Sequence, residues 1–133
     1  MRDFNFLADD SLVEALLAEI SSLMENLVDR NISGSIDLLG LPLSAACLAL
    51  LEQRLGTGEI KVTLTAAGKS EIYETSFSGV WWSSHADETG RVVAMLIDVA
   101  YVPEILKANI DDLRLSHRRL RDATGSKLRR ASA

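Results

Sequence analysis

This 133-residue chain predicts an α+β fold. The expected architecture is an antiparallel four-stranded meander, covered on one face by two N-terminal helices and followed by a C-terminal helix. Three observations carry it. Apolar residues recur at helical spacing over the N-terminal third, the period changes to two between Glu59 and Val99, and a helical spacing returns after Pro103. Tyr73, Phe77, Trp81 and Trp82 all fall in the period-two stretch, which makes it the centre of the expected core.

The totals fit one domain over residues 1–133, divided into an arm (1–9), a core (10–107) and a helix with a basic tail (108–133). Charge is segregated. Residues 1–112 carry seven basic and eighteen acidic side chains (−11), whereas residues 113–133 carry seven basic and one acidic (+6). An acidic body argues against a nucleic-acid binder, whose basic footprint belongs on the folded domain. One cysteine, Cys47, excludes an intramolecular disulfide and a cysteine-only cluster. Neither a secretory leader nor an apolar run near the roughly 20 residues of a membrane span is visible, so a cytoplasmic protein without membrane insertion is expected.

The elements follow in order. Phe4, Phe6 and Leu7 belong to an irregular arm. Ser11 and Glu14 have the form of a capping box, opening a helix with Leu12, Leu16, Ile20, Leu23 and Leu27 on its inner face. Residues 36–43 are apolar but interrupted by Gly40 and Pro42, which reads as an extended connector. Ser44 caps a second helix, with Leu43 and Leu48 as its hydrophobic staple, and Gly56-Thr57-Gly58 stops it. Strands follow over residues 60–66, 70–77, 80–86 and 91–99, with Gly79 at a bulge or tight bend and Asp87–Gly90 as a hairpin loop. Pro103 starts the last helix, where Leu106, Ile110, Leu113, His117 and Leu120 form an a/d seam. The chain frays after Gly125.

No catalytic constellation emerges. Glu71 and Glu74, three positions apart on a strand, point to opposite faces and cannot share acid–base work. His85 and His117 lack the ligand spacing of a metal site, and Cys47 on an apolar helix face reads as an inert thiol. No cofactor is implied. Trp81 and Trp82, adjacent on a strand, face opposite sides. Either the protein covers both, or the outward ring serves a partner. The C-terminal seam either packs on the open sheet face of its own chain or pairs with the same helix of a second copy; because a sheet with helices on one side leaves a face to cover, a homodimer is expected.

Ile36-Asp37-Leu38, Leu41-Pro42-Leu43-Ser44, Gly58-Glu59-Ile60 and Glu71 to Trp82 together resemble the HupH/HyaF family of hydrogenase expression proteins. So does Leu96-Ile97-Asp98-Val99 with Val102-Pro103-Glu104-Ile105, and the likeness spans about Leu12 to Lys107. The resemblance implies a non-enzymatic assembly factor for [NiFe] uptake hydrogenases. It would act on the small-subunit precursor before export, alone or with other maturation proteins. It implies no catalytic residues. Many family members carry further sequence ahead of such a domain. A surface around Glu71, Glu74, Thr75, Gly79, Trp81 and Trp82 is the implied partner site. The competing reading is a small-molecule or cofactor binder using a helix–sheet cleft, with Glu71, Glu74 and His85 as its polar groups.

Overall fold

The computed structural model describes the backbone of residues 2–132 and the side chains of residues 9–125. Two compact units make up the chain, Met1–Pro103 and Glu104–Ala133.

In the first unit, helix α1 spans Arg2–Arg30, strand β1 Gly34–Asp37 and helix α2 Ala45–Leu55. Strands β2 (Lys61–Leu64), β3 (Lys69–Glu74), β4 (Val80–Ala86) and β5 (Val92–Val99) follow. The sheet has five strands in the order β1-β5-β4-β3-β2, all antiparallel, not the expected four. The extra strand is the supposed connector. Ile36 pairs with Ile97 and is buried, and Leu38 continues the pairing by donating its N–H to the Met95 carbonyl at 2.9 Å. Only four residues long, with polar Ser35 and Asp37 facing away from the helices, β1 offers too little alternation to stand out beside Gly40 and Pro42.

The expected irregular arm is helical from Arg2, so Ser11 lies inside α1 and caps nothing. The side chains of Phe4, Phe6 and Leu7 lie outside the described residues. The inner stripe of α1 is also rotated from the expected one: Val13, Leu16, Ile20 and Leu27 are buried, while Leu12 is exposed. Helix α2 begins and ends as its sequence predicts. The Ser44 hydroxyl accepts the Cys47 N–H at 3.0 Å, and Gly56, at φ 67°, closes the helix by donating its N–H to the Glu52 carbonyl.

The core lies between the helix pair and one sheet face. Cys47, Leu51 and Leu55 of α2 meet Val80, Trp82, Ile97 and Val99, and Tyr73 stacks on Trp82 with ring centroids 6.4 Å apart. Burying a side chain such as Leu51 contributes roughly 1.5–3 kcal/mol. The strand register puts Ile72, Glu74, Trp81, Ser83, His85 and Asp98 on the other face. At the far end of the hairpin, Asp87 organises the β4–β5 loop. Its carboxylate accepts the N–H groups of Thr89 (2.9 Å) and Arg91 (3.0 Å). The Thr89 hydroxyl bond foremost, then these amides, hold the Asp87 carboxyl below the usual range.

In the second unit a 3₁₀ turn, Glu104–Leu106, precedes helix α3, Ile110–Ser132. The helix starts seven residues after Pro103, because the Asn109 side chain caps it by accepting the Asp111 N–H at 2.8 Å. Leu106 therefore sits outside the helix, and the seam within α3 begins at Ile110. The backbone stays helical through Gly125 to Ser132, where fraying was expected.

Candidate interaction surface

The β3–β4 turn is the most heavily braced feature of the sheet. Its ladder closes where the Thr75 N–H donates to the Val80 carbonyl (2.9 Å) and the Val80 N–H to the Phe77 carbonyl (3.0 Å). Inside that ring, the buried Thr75 hydroxyl donates toward the Val80 carbonyl (2.8 Å) and accepts the Phe77 N–H (3.2 Å). Glu74 closes the outer side by accepting the Gly79 N–H at 3.1 Å. Gly79 has φ 86°, a left-handed conformation that a side chain would strain. The turn is also tied to the end of α2: the Ser76 N–H donates to the Leu55 carbonyl (3.0 Å) and the Gly58 N–H to the Glu74 carbonyl (2.7 Å). Behind it, the Trp81 indole N–H donates to the Ala100 carbonyl at 3.1 Å.

This bracing holds one large apolar side chain out in solvent. Phe77 is 54% exposed, whereas Trp81 and Trp82 are each 4% exposed. Phe77 edges a cleft of about 350 Å³, lined also by Leu17, Ile20, Ser21 and Met24 of α1, by Arg54 and Leu55 of α2 and by Val80. The cleft is apolar apart from Ser21 and Arg54. The Arg54 guanidinium is already paired with the Glu14 carboxylate at 2.6 Å.

The six residues singled out from the sequence thus fall into distinct places. Glu74, Thr75 and Gly79 build the turn. Trp81 anchors it on the face away from the helices, and Trp82 fills the core on the helix side. Glu71 is apart from them. It opposes Ser84 on the helix-side face and pairs with Lys69 at 3.1 Å, and that bond and charge hold its carboxyl below the usual range. Phe77 is the residue that sequence reasoning passed over. A strand boundary placed at 77 instead of Glu74 treated it as one more alternating core position.

Glu71, Glu74 and His85 do not converge, since Glu71 is on one face and the other two are on the opposite one. The His85 ring is bonded through Nδ1 to the Ser70 hydroxyl (2.7 Å). Glu71 instead lines two clefts with Glu52 and Tyr73, of about 220 Å³ and about 300 Å³, at or below the roughly 300 Å³ at which ligand pockets begin. There the Tyr73 hydroxyl donates to Glu52 at 3.2 Å, and burial first, then the Glu52 carboxylate, raises its pKa. Asp98 is half-buried beside Ser83, and burial pushes its carboxyl up. Cys47 is fully buried, and burial, with Asp9 second, pushes its thiol up, as suits an inert core residue. Among the described residues no group of three or more His, Cys, Asp or Glu side chains could hold a metal ion. No helix there is long and apolar enough to cross a membrane.

Residues 12–126 match the family model described as HupH hydrogenase expression protein, C-terminal conserved region. The chain belongs to that family. It is similar to the hydrogenase expression/formation protein HoxQ of Azotobacter vinelandii, with 34% identity over 92 residues, 68% of this chain and 32% of that protein. A second relative is the hydrogenase expression/formation protein HupH of Rhizobium leguminosarum bv. viciae, with 26% identity over 110 residues, 83% of this chain and 39% of that protein. The chain thus spans about a third of the length of these relatives. Among solved structures, the hydrogenase expression protein HupH from Thiobacillus denitrificans ATCC 25259 superposes with a TM-score of 0.80. The sequences are 36% identical, and the match covers 86% of this chain and 95% of that one. The stretch Glu71–Trp82, which carried the resemblance, lies inside the matched HupH region, and in the fold it spans most of β3, the braced turn and the start of β4.

Proposed function

We propose that this HupH-type domain is a non-enzymatic assembly factor in the maturation of a [NiFe] uptake hydrogenase. It recognises the immature small subunit in the cytoplasm, on its own or beside other maturation proteins. Family membership supports the pathway. The observation that carries the recognition step is Phe77: a large aromatic ring held out of the core by a hydrogen-bonded turn, at the edge of an apolar cleft. Aromatic anchors that need no ordering on binding are the residues that dominate protein interfaces. In this reading Glu74, Thr75, Gly79 and Trp81 act through the turn, and Phe77 and the cleft wall touch the partner. Glu71 and Trp82 support the sheet from its helix side.

Binding of purified small-subunit precursor to the full chain, by calorimetry, tests this. Phe77→Ala should weaken binding by at least about tenfold while leaving the circular dichroism spectrum and melting temperature unchanged. Undiminished affinity in that variant, or full hydrogenase activity in a strain deleted for the protein, would overturn the reading.

A further inference from the structure

Phe77 has company at its end of the sheet. Strand β5 leaves the sheet at Val99, between Gly34 of β1 and Val80 of β4, and the Ala100 N–H continues that ladder to the Gly79 carbonyl at 2.9 Å. Helix α1 ends at the same place: a Cβ added at Gly79 would lie 3.9 Å from the side chains of Met24 and Leu27. The Asn31 N–H closes that helix on the Leu27 carbonyl (3.1 Å), with Asn31 itself left-handed at φ 57°. Ile32 and Tyr101 then stand two residues outside the same Gly34–Val99 pair. Val28 lies one helical turn beyond Met24, which lines the Phe77 cleft. Val28, Ile32, Phe77 and Tyr101 are 54–73% exposed, four of the five most exposed large apolar side chains described in the first unit.

The composition of this end is as uneven as its exposure. Residues 31–33, 56–58, 75–79 and 100–103 hold no charged side chain, although a quarter of the chain is charged. The hairpin loop at the opposite end alone carries Asp87, Glu88 and Arg91. The charges bordering the uncharged end are few: Asp29 beside Arg30 at the close of α1, Arg54 paired with Glu14, and Glu59 beyond Gly58. Depletion of charge around exposed aromatic residues is the compositional mark of the centre of a protein interface. We propose that the partner engaged by Phe77 covers this whole end of the sheet, with Tyr101 as a second anchor and Val28 and Ile32 between the two, and that the polypeptide surface it presents is apolar and uncharged. A charge on the partner would be stripped of water here with no counter-ion to meet it. A second copy of the chain is the poorer occupant: each first unit carries six basic and fifteen acidic side chains (−9), and two such bodies repel when brought end to end. The proposal rests on the reading that Phe77 touches the small-subunit precursor, and it adds the extent of that surface and the chemistry of what it binds.

Calorimetry of the full chain with purified small-subunit precursor tests it. Tyr101→Ala should weaken binding by at least about tenfold and Ile32→Ser by at least about threefold, both at exposed sites where the melting temperature should hold. Val93→Ser, at an equally exposed apolar residue beside the opposite hairpin, should bind as wild type does. Raising salt from about 50 to about 500 mM should change the affinity by less than about threefold. If Phe77→Ala weakens binding while Tyr101→Ala and Ile32→Ser do not, the extended surface is refuted and the Phe77 reading stands. If Phe77→Ala binds as wild type does, or the wild-type chain does not bind the precursor, both are refuted. A Val93→Ser loss as large as that of Tyr101→Ala, or a fall of more than about tenfold with salt, also overturns the proposal. So does wild-type self-association that Tyr101→Ala abolishes while precursor binding stays intact, which would give this end to a second copy.

Discussion

Replacing Thr75 with valine removes one hydroxyl from the centre of the β3–β4 turn and keeps the shape of the side chain. Thr75 is 2% exposed, so water cannot substitute for what is lost. The hydroxyl reaches three backbone groups: it accepts the Phe77 N–H at 3.2 Å, and its one proton is shared between the Val80 carbonyl at 2.8 Å and the Phe77 carbonyl at 3.2 Å. The Val80 carbonyl keeps a second donor, the Thr75 N–H at 2.9 Å, so its loss is the smaller. The Phe77 N–H is left facing a methyl group. A net hydrogen bond is worth about 1 kcal/mol, and stranding the part-buried Phe77 N–H costs toward the lower end of the about 1–3 kcal/mol of a buried donor, which places Thr75→Val at roughly 2–3 kcal/mol of lost stability. At about 3–5 °C per kcal/mol for a chain of this size, the midpoint should fall by roughly 6–15 °C.

Thr75→Ser separates the hydroxyl from the methyl. It keeps both bonds and loses about one buried methyl group, worth roughly 1 kcal/mol. Thermal denaturation should therefore rank wild type above Thr75→Ser above Thr75→Val. Hydrogen exchange gives the sharper test: the Phe77 and Gly79 amides should lose protection in the valine variant and keep it in the serine variant. A valine variant within about 0.5 kcal/mol of wild type, with the Phe77 amide still protected, would refute the idea that this hydroxyl organises the turn.

Three further outcomes follow from other parts of the fold. The Asp98 carboxyl is pushed up by burial, so the folded state holds its proton more tightly than the unfolded chain does. Its contribution to stability is full below the ordinary aspartate pKa and is lost as pH rises through the raised one, and Asp98→Asn should remove that decline from the melting temperature measured between pH 3 and 8. Parallel wild-type and variant curves would contradict it. Cys47, buried and with its thiol pushed up, should react with a thiol reagent on the order of a hundredfold more slowly in the native protein than in urea, because labelling waits for opening. Gly68→Ala should cost at least about 2 kcal/mol in chemical denaturation, since φ is 113° and an added Cβ would clash with the Ala86 carbonyl oxygen.

Periodicity made most of the sheet legible. The alternation through Val62, Ile72, Trp82 and Ile97 was strong enough to place four strands, and Gly79 and Asp87–Gly90 marked their turns. What escaped was short or local. Strand β1 has a single buried residue, Ile36, in its four. The start of α1 was misplaced because a capping-box pattern also fits the interior of a helix when Ser11 and Glu14 lie exposed on it. The start of α3 was misplaced because proline suits a first helical turn, yet Asn109 supplied the actual cap.

The site was harder to read than the fold, for a reason visible in Trp81, Trp82 and Phe77. Strand alternation tells which face of a sheet a side chain takes, and it placed the two tryptophans on opposite faces correctly. It is silent on whether a face is covered, and both rings turn out to be buried at 4% exposure. Exposure here is decided by where β3 ends. Thr75 makes the last cross-strand bond through its N–H and satisfies the turn with its hydroxyl, and the chain reverses over Ser76, Phe77 and Ser78 with all three exposed. Had β3 continued to Phe77, the ring would have taken the face of Tyr73, toward the helices. Because the strand stops at Glu74, the same aromatic residue stands at the tip of a rigid turn instead. The polar residues that looked like a recognition surface, Glu74 and Thr75, are what put it there.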